Sequence, residues 1–232
     1  MSLGKKVFSA AAAMFLAGTA GAFYWRTLNP ESESFIHKKI LTPDSYKEIT
    51  SAIRSRFSSK YWPELKAYRT ERRRCHPDSA EYQTSVLNFQ KTIKRMVEES
   101  TNEILKEFRV NKDVFEESVN FYDSDLELKE YGESLIKPIN PVLPPTKLSM
   151  NDTNTILQYY SNNLKDKNSD IIDFDEYLVI TSQIEDEIYR NYRIEIEEVT
   201  NAFEKYKDHL EDVVESMKMQ TSSILASTDN SF

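Results

Sequence analysis

The chain has 232 residues, of which 29% are charged and 39% are hydrophobic, and its formal net charge is −8. This acidic balance is typical of a water-facing body and argues against a nucleic-acid-binding protein, which is usually basic. Only one glycine follows Ala22, which excludes glycine-dependent phosphate loops and nucleophile elbows, so we expect an all-α protein that is not an enzyme.

The N-terminal segment Val7–Trp25 contains nineteen residues without a charge. As a helix it would be about 28 Å long, close to the hydrocarbon thickness of a bilayer. Two lysines precede it, and its last three residues are aromatic, as is common at a membrane interface. We therefore predict that residues 1–26 form a retained, single-pass transmembrane anchor that contacts membrane lipids. A cleaved secretory signal is the alternative, because Ala20-Gly21-Ala22 has the form of a cleavage site.

Small residues recur at every fourth position of this segment, which makes a smooth ridge for close packing of another transmembrane helix. The start of the chain contains lysine and serine but no acidic residue, so it is compatible with mitochondrial import as well as with secretion. The lone Cys75 excludes an intrachain disulfide, which favours a reducing or mitochondrial setting. The ridge consists of Ser9, Ala13, Ala17 and Gly21.

Residues 27–136 are predicted to form a helical subdomain. Thr42-Pro43 has the form of a helix start, and Trp62-Pro63 suggests a second start that runs to about Arg74. Apolar residues spaced three and four apart predict an amphipathic helix over residues 79–108, followed by two short helices. Between Arg54 and Arg74 the chain has eight bases and two acids, which suits contact with anionic lipid or an acidic partner, or a solvated helical face.

A proline-rich linker is predicted over residues 137–148, which contain four of the eight prolines. Residues 149–220 are predicted to form a second helical subdomain, and residues 221–232 a flexible tail. Ser149 and Asp152 form a capping-box pattern that opens the first helix of this subdomain, and Asp173 with Glu176 opens the last one.

The stretch Phe174–Met219 contains neither proline nor glycine, so we predict one continuous or nearly continuous helix. At about 1.5 Å per residue this helix would reach about 70 Å and overhang its own core. Its apolar seam resembles that of a coiled coil, with a mixed bundle as the alternative packing, and we predict that it binds another chain. The seam consists of Ile196, Val199, Phe203, Tyr206, Leu210, Val213 and Met217. An excess of acids here, fifteen against four bases over residues 170–216, suits a solvated face or a basic neighbour.

The loop over residues 166–177 resembles a degenerate EF-hand calcium loop. The oxygen-bearing side chains alternate as they do in that family, and a glutamate stands where the exiting helix begins. The glycine of the sixth position is absent, and the closing glutamate comes one residue early, so we expect a structural loop without a metal. The weak candidate ligands are Asp166, Asn168, Asp170 and Glu176.

In design the chain resembles the single-span accessory subunits of protist mitochondrial respiratory complexes or ATP synthase. The resemblance implies a non-catalytic structural subunit of the mitochondrial inner membrane, which contacts other subunits through the transmembrane helix and the C-terminal helix. No cofactor, nucleic acid or small-molecule substrate is expected. Two alternatives stay open: a membrane-tethered, calcium-responsive EF-hand adaptor, and a free-standing coiled-coil tethering or assembly factor.

Overall fold

The computed structural model describes residues 40–141, 146–167 and 173–210. These residues form seven α-helices and one short 3₁₀ turn and contain no strand, which confirms the all-α class for the described part of the chain. None of the described helices is both long enough and apolar enough to cross a membrane. The helices are α1 (Pro43–Arg72), α2 (Ala80–Phe108), α3 (Lys112–Tyr122), α4 (Leu126–Ser134), α5 (Met150–Asp166), α6 (Phe174–Tyr192) and α7 (Ile196–Tyr206), and the 3₁₀ turn is Lys207–His209.

The described residues divide into two compact units. The α1–α4 unit contains residues 40–71 and 88–140, and the α5–α7 unit contains residues 72–87, 141, 146–167 and 173–210. One division falls at Pro141, inside the proline-rich linker that the sequence predicts. The other places residues 72–87 with the C-terminal half of the chain, although sequence patterning assigns them to the first helical subdomain.

The core of the α1–α4 unit forms where the apolar stripe of α1 meets those of α2, α3 and α4. Near the start of α1, Tyr46 is fully buried, and its ring centroid lies 4.9 Å from that of Tyr122 and 6.3 Å from that of Phe115. Further along α1, Phe57, Tyr61 and Leu65 pack in one cluster with Phe89, Met96 and Val97 of α2.

The second helix start predicted at Trp62-Pro63 is wrong, because α1 continues through Pro63 to Arg72. An interior proline removes one helical hydrogen bond and usually costs about 3 kcal/mol. Buried residues on both sides of it, Tyr61 and Leu65, keep the helix intact by packing in the same apolar cluster. Tertiary packing therefore overrides the local stop signal.

Several bases of the basic stretch bind acceptors within the chain. Arg56 binds Glu103 and Glu107 of α2 at 2.8 and 2.9 Å, and Lys60 donates to Glu103 at 2.8 Å. Arg54 donates its Nε–H to the Lys137 carbonyl at 2.8 Å. These side chains, predicted to suit lipid or an acidic partner, already have acceptors in their own unit.

The first residues of the predicted linker are fastened to α1. The Ile139 amide donates to Ser58 Oγ at 2.7 Å, and the Trp62 indole N–H donates to the Ile139 carbonyl at 2.8 Å. Together with the bond from Arg54, these contacts satisfy backbone groups that would otherwise need water. The chain at residues 137–139 is therefore a packed strap along α1, and residues 142–145 lie outside the described part.

In the α5–α7 unit, α5, α6 and α7 pack pairwise around one apolar cluster. Capping boxes open α5 at Ser149 and Asp152 and open α6 at Asp173 and Glu176, as the sequence predicts. In each box a side-chain oxygen accepts a backbone N–H that the helix itself cannot satisfy. The Tyr206 hydroxyl donates to the Leu148 carbonyl at 3.1 Å and fixes the end of α7 against the start of α5.

The single long helix predicted from Phe174 is wrong. Helix α6 ends at Tyr192, Arg193 adopts the left-handed conformation with φ 57° and ψ 35°, and α7 begins only at Ile196. A left-handed residue is a common helix terminator, but it is usually glycine. Because this part of the chain lacks glycine, the sequence carries no visible stop signal, and α7 folds back onto α5 and α6.

The one glycine among the described residues permits a close contact within the α1–α4 unit. A Cβ atom placed on Gly132 of α4 would lie 2.8 Å from the hydroxyl oxygen of Tyr46. Burial raises the pKa of this hydroxyl to about 12, in keeping with its enclosed position. The pair therefore limits how closely α4 and α1 approach.

We expect Gly132→Ala to lower the free energy of unfolding by about 1–3 kcal/mol, because overpacking outweighs the helix propensity gained. In a Tyr46→Phe background the oxygen is gone, and the same change is expected to be neutral or stabilising. Chemical denaturation of the four forms, followed by circular dichroism, measures this coupling. Glu130→Ala, an exposed change in α4, is the control, and additive effects of Gly132→Ala and Tyr46→Phe would contradict the proposed contact.

A second left-handed residue, Arg109 with φ 54°, ends α2. The Val110 amide donates to the Leu105 carbonyl at 2.9 Å, which is the backbone pattern of a Schellman motif. The exposed Arg109 side chain occupies a position that glycine adopts with less strain.

We expect Arg109→Gly to raise the free energy of unfolding by about 1 kcal/mol, because the left-handed conformation costs a side-chain-bearing residue about that much. Thermal denaturation of the two forms tests this. Lys106→Gly, at an exposed right-handed position in the last turn of α2, is expected to destabilise by about the same amount. If both glycine variants changed the free energy of unfolding in the same direction, Arg109 would not be strained.

Candidate functional site

The most distinctive polar feature of the described chain is a buried charge cluster in the α5–α7 unit, centred on Asp186. Asp186 of α6 is 0% exposed, and Arg72 is 2% exposed. Arg72 binds it in a fork, with Nε donating to Oδ2 at 2.9 Å and Nη2 donating to Oδ1 at 2.7 Å. Arg73 Nε donates to Oδ1 at 2.8 Å, and the Tyr82 hydroxyl donates to Oδ2 at 2.9 Å.

The cluster extends toward the surface through Arg73. Its Nη1 and Nη2 donate to the two carboxylate oxygens of Glu195, each at 2.7 Å. The Arg73 guanidinium carbon also lies 3.7 Å from the ring centroid of Tyr189. Two arginines thus donate to two carboxylates, and a third carboxylate, that of Glu185, lies 4.0 Å from Arg72 Nη2.

Secondary structure brings these groups together from distant parts of the sequence. Arg72 and Arg73 stand at the end of α1, Tyr82 lies in the first turn of α2, and Asp186 lies in the middle of α6. Asp186 follows the buried Val179 by seven residues, which is about two helical turns, so the two side chains lie on the same face of α6. This face forms a second inward-facing row of the helix. The sequence pattern does not indicate the cluster, because Asp186 stands in a run of acids that suits a face toward solvent or a basic neighbour.

Two opposing effects set the ionisation of Asp186. Its burial alone would raise the pKa, but the attraction of Arg72 and the hydrogen bonds from Arg72, Arg73 and Tyr82 together lower the pKa below its ordinary value. For Arg73, burial lowers the pKa, and the hydrogen bonds that Arg73 donates to Glu195 and Asp186 more than reverse this, so the pKa is raised. Asp186 and Arg73 are therefore both charged at neutral pH.

This arrangement is suited to holding structure and not to transferring protons. Among the described residues, Asp186 accepts four hydrogen bonds, which occupy the positions that a substrate proton would need. A general base instead needs an accessible lone pair and a pKa near the working pH. The chemistry that the geometry supports is the clamping of residues 72–82 onto α6 and the start of α7.

The candidate calcium ligands are only partly covered by the structure. Asp166 is the last residue of α5, and the Glu176 carboxylate accepts from the Asp173 amide at 3.3 Å within the capping box of α6. Asn168 and Asp170 lie outside the described residues. In residues 40–141, 146–167 and 173–210, no three His, Cys, Asp or Glu side chains are grouped so as to hold a metal ion. That this loop is structural and holds no metal therefore stays a prediction.

The predicted partner seam is corrected by the structure, because its described residues pack inside the chain. Ile196, Val199, Phe203 and Leu210 are buried in one cluster with residues of α5 and α6, and Tyr206 packs partly buried against them. The seam does not overhang, since the break at Arg193 returns α7 to its own bundle. Val213 and Met217 lie outside the described residues, as does the small-residue ridge predicted at Ser9, Ala13, Ala17 and Gly21.

Comparison of the chain with protein-family models, with curated proteins and with solved structures gives no match.

We expect Asp186→Asn to lower the free energy of unfolding by about 3–5 kcal/mol, because the buried Arg72 guanidinium and the half-buried Arg73 guanidinium lose their common charge partner. Tyr82→Phe, which removes one hydrogen bond, is expected to cost only about 1–2 kcal/mol. Chemical denaturation at pH 7 measures both variants, with the exposed Asp175→Asn as control. A cost for Asp186→Asn no larger than that of the control would contradict the clamp.

The same cluster sets a pH dependence with a defined sign. The folded-state pKa of Asp186 is lowered, so its stabilising contribution is present above the unfolded-state pKa of about 3.9 and is lost as the pH falls through the folded value. We expect the stability difference between wild type and Asp186→Asn to be constant from pH 7 to about pH 5 and to shrink below about pH 4. Denaturation curves across this pH range measure this difference. A difference in the free energy of unfolding that grows as the pH falls would contradict the predicted sign.

Proposed function

We propose that this protein is a non-catalytic, membrane-anchored accessory subunit, which holds a helical body at the membrane and binds other subunits of a larger complex. The observation that carries the proposal is the uncharged segment Val7–Trp25 joined to a body whose buried ionic groups are committed to one another. An enzyme needs ionisable groups that are free to react, whereas a structural subunit needs a stable body and a means of attachment.

The mitochondrial inner membrane is the proposed location. The acid-free, lysine-containing start of the chain, its lone cysteine and its general design favour this location. The small-residue ridge Ser9, Ala13, Ala17 and Gly21 is the proposed contact with a neighbouring transmembrane helix.

On the folded body, contact with other subunits is assigned to exposed apolar side chains, because the seam of α7 is covered. Leu126, at the start of α4, is 88% exposed, and Phe121, at the end of α3, is 56% exposed. Large apolar side chains at such exposure are favoured at protein interfaces, where burial removes them from water. They are the described side chains whose replacement best separates assembly from folding.

We expect the full chain to stay in the membrane pellet after extraction with alkaline carbonate, and a form without residues 1–26 to become soluble. An apolar helix of about 28 Å cannot leave the bilayer without exposing its side chains to water. Fractionation of cells that express both forms is the measurement. A mature chain whose N-terminal sequence begins at Phe23 would instead identify a cleaved signal.

We expect the native chain to co-migrate with other proteins in a complex far larger than its own 27.1 kDa on native detergent gels. Leu126→Asp is expected to reduce this incorporation several-fold, because a charge at the contact must be desolvated. The change keeps α4 intact, since an acid in the first turn suits the helix dipole.

Asn120→Asp, at an exposed position of α3, is the matched control that adds the same charge. Migration of the full chain as a monomer would reject the accessory-subunit proposal. Equal incorporation of Leu126→Asp and the control would reject only the assigned surface.

A further inference from the structure

The break between α6 and α7 contains no proline or glycine that would require it. Arg193, Ile194 and Glu195 connect the two helices, and Arg193 carries the strained left-handed conformation with φ 57°. A side-chain-bearing residue in this conformation costs free energy that the rest of the fold has to supply.

The apolar stripe continues through the break without a change of phase. From Ile188 it passes to Tyr192, Ile196 and Val199, in steps of four, four and three residues. No proline or glycine interrupts residues 174–206. The same sequence therefore also suits one uninterrupted helix, in which Arg193 is right-handed and unstrained.

Specific contacts keep the break folded in the single chain. Both Glu195 oxygens accept from Arg73 at 2.7 Å, and the Arg73 guanidinium lies against the Tyr189 ring. The Glu195 amide also donates to Glu198 at 3.3 Å at the start of α7. The burial of its apolar face on α5 and α6, and the hydrogen bond from the Tyr206 hydroxyl to the Leu148 carbonyl, also retain α7.

If α6 and α7 merged into one helix, α7 would lose this burial, and α5 and α6 would expose the surface that it had covered. The only surface that fits this vacated face residue for residue is α7 of a second copy of the chain. Such an exchange restores every contact of α7 between two chains and changes only the connecting residues. Short strained connections are known to favour this kind of exchange.

We propose that Arg193–Glu195 is a hinge through which two copies of this chain exchange α7, so that each α7 packs on α5 and α6 of the other copy. The pairing of Arg73 with Glu195 holds the hinge in its closed, single-chain form. The proposal does not depend on the accessory-subunit function or on the identity of the other subunits.

Two substitutions at the exposed Arg193 test the hinge, and both remove the arginine side chain. Arg193→Ala favours the continuous helix, because alanine is a strong helix former and is strained in the left-handed conformation. Arg193→Gly favours the closed hinge, because glycine is a poor helix former and adopts the left-handed conformation with little strain. Since an exchanged dimer contains two hinges, we expect the dimerisation constants of the two variants to differ by about 10³-fold.

The experiment uses the full chain in detergent with Cys75→Ser. One copy carries spin labels at Asn162→Cys on α5 and Lys205→Cys on α7, both at exposed positions, and the other copy is unlabelled. The two copies bear different affinity tags, are co-expressed and are purified on both tags, so that every recovered dimer contains one labelled chain. Pulsed electron paramagnetic resonance then measures the distance between α5 and α7 within that chain.

For Arg193→Ala we expect recovery on both tags and a distance longer by more than about 10 Å than in the monomer, because α7 extends away from its own α5. For Arg193→Gly we expect little recovery and the short distance of the closed chain. Glu195→Gln, which weakens the closing pair, should shift the wild type toward the long distance, whereas the exposed Lys165→Gln should not.

Recovery of Arg193→Ala dimers that keep the short distance would show side-by-side association, for example through the N-terminal segment, and would overturn the exchange. Failure to recover Arg193→Ala on both tags would also overturn it. Circular dichroism with unchanged helix content in both Arg193 variants confirms that the comparison is between folded chains.

Discussion

Burial of the Asp186 carboxylate is the constraint on which the α5–α7 unit depends. Removing a carboxylate from water costs several kcal/mol, and only well-placed partners offset that cost. Here the partners come from residues 72–82, which are more than one hundred positions away in the sequence. Apolar side chains of similar volume could pack in several arrangements, whereas this four-bond geometry is satisfied by one placement of residues 72–82 on α6.

Charged side chains also pair with one another elsewhere in the described chain. Basic residues of α1 that suit an anionic surface are bound instead by acids of α2, and Arg73 joins Asp186 to Glu195. The net charge of −8 is therefore what remains after many internal pairs, and it says little about which surface meets a partner. This is why the contacts are proposed at the predicted N-terminal anchor and at exposed apolar side chains such as Leu126, and not at charged faces.

Glycine poverty has a second consequence beyond excluding phosphate-binding loops. Helices α2 and α6 both end on an arginine in the left-handed conformation, so the chain stores strain at two turns. At Arg109 the strain only lowers stability. At Arg193 it lies between two helices whose apolar stripes are in phase, and this combination makes an alternative connection accessible to two copies of the chain.

Periodicity and capping chemistry are local properties, so the sequence alone determined the all-α class, the helix over residues 80–108, the two short helices after it and the capping boxes at Ser149 and Asp173. It did not reveal that α1 continues through Pro63, that the chain turns at Arg193, or that Asp186 is buried. Each of these depends on a partner distant in sequence: an apolar cluster from α2, the face of α5, and the guanidinium groups of Arg72 and Arg73. A left-handed arginine and a buried aspartate look like ordinary helical surface residues in the sequence, because the free energy that places them comes from contacts that exist only in the folded chain.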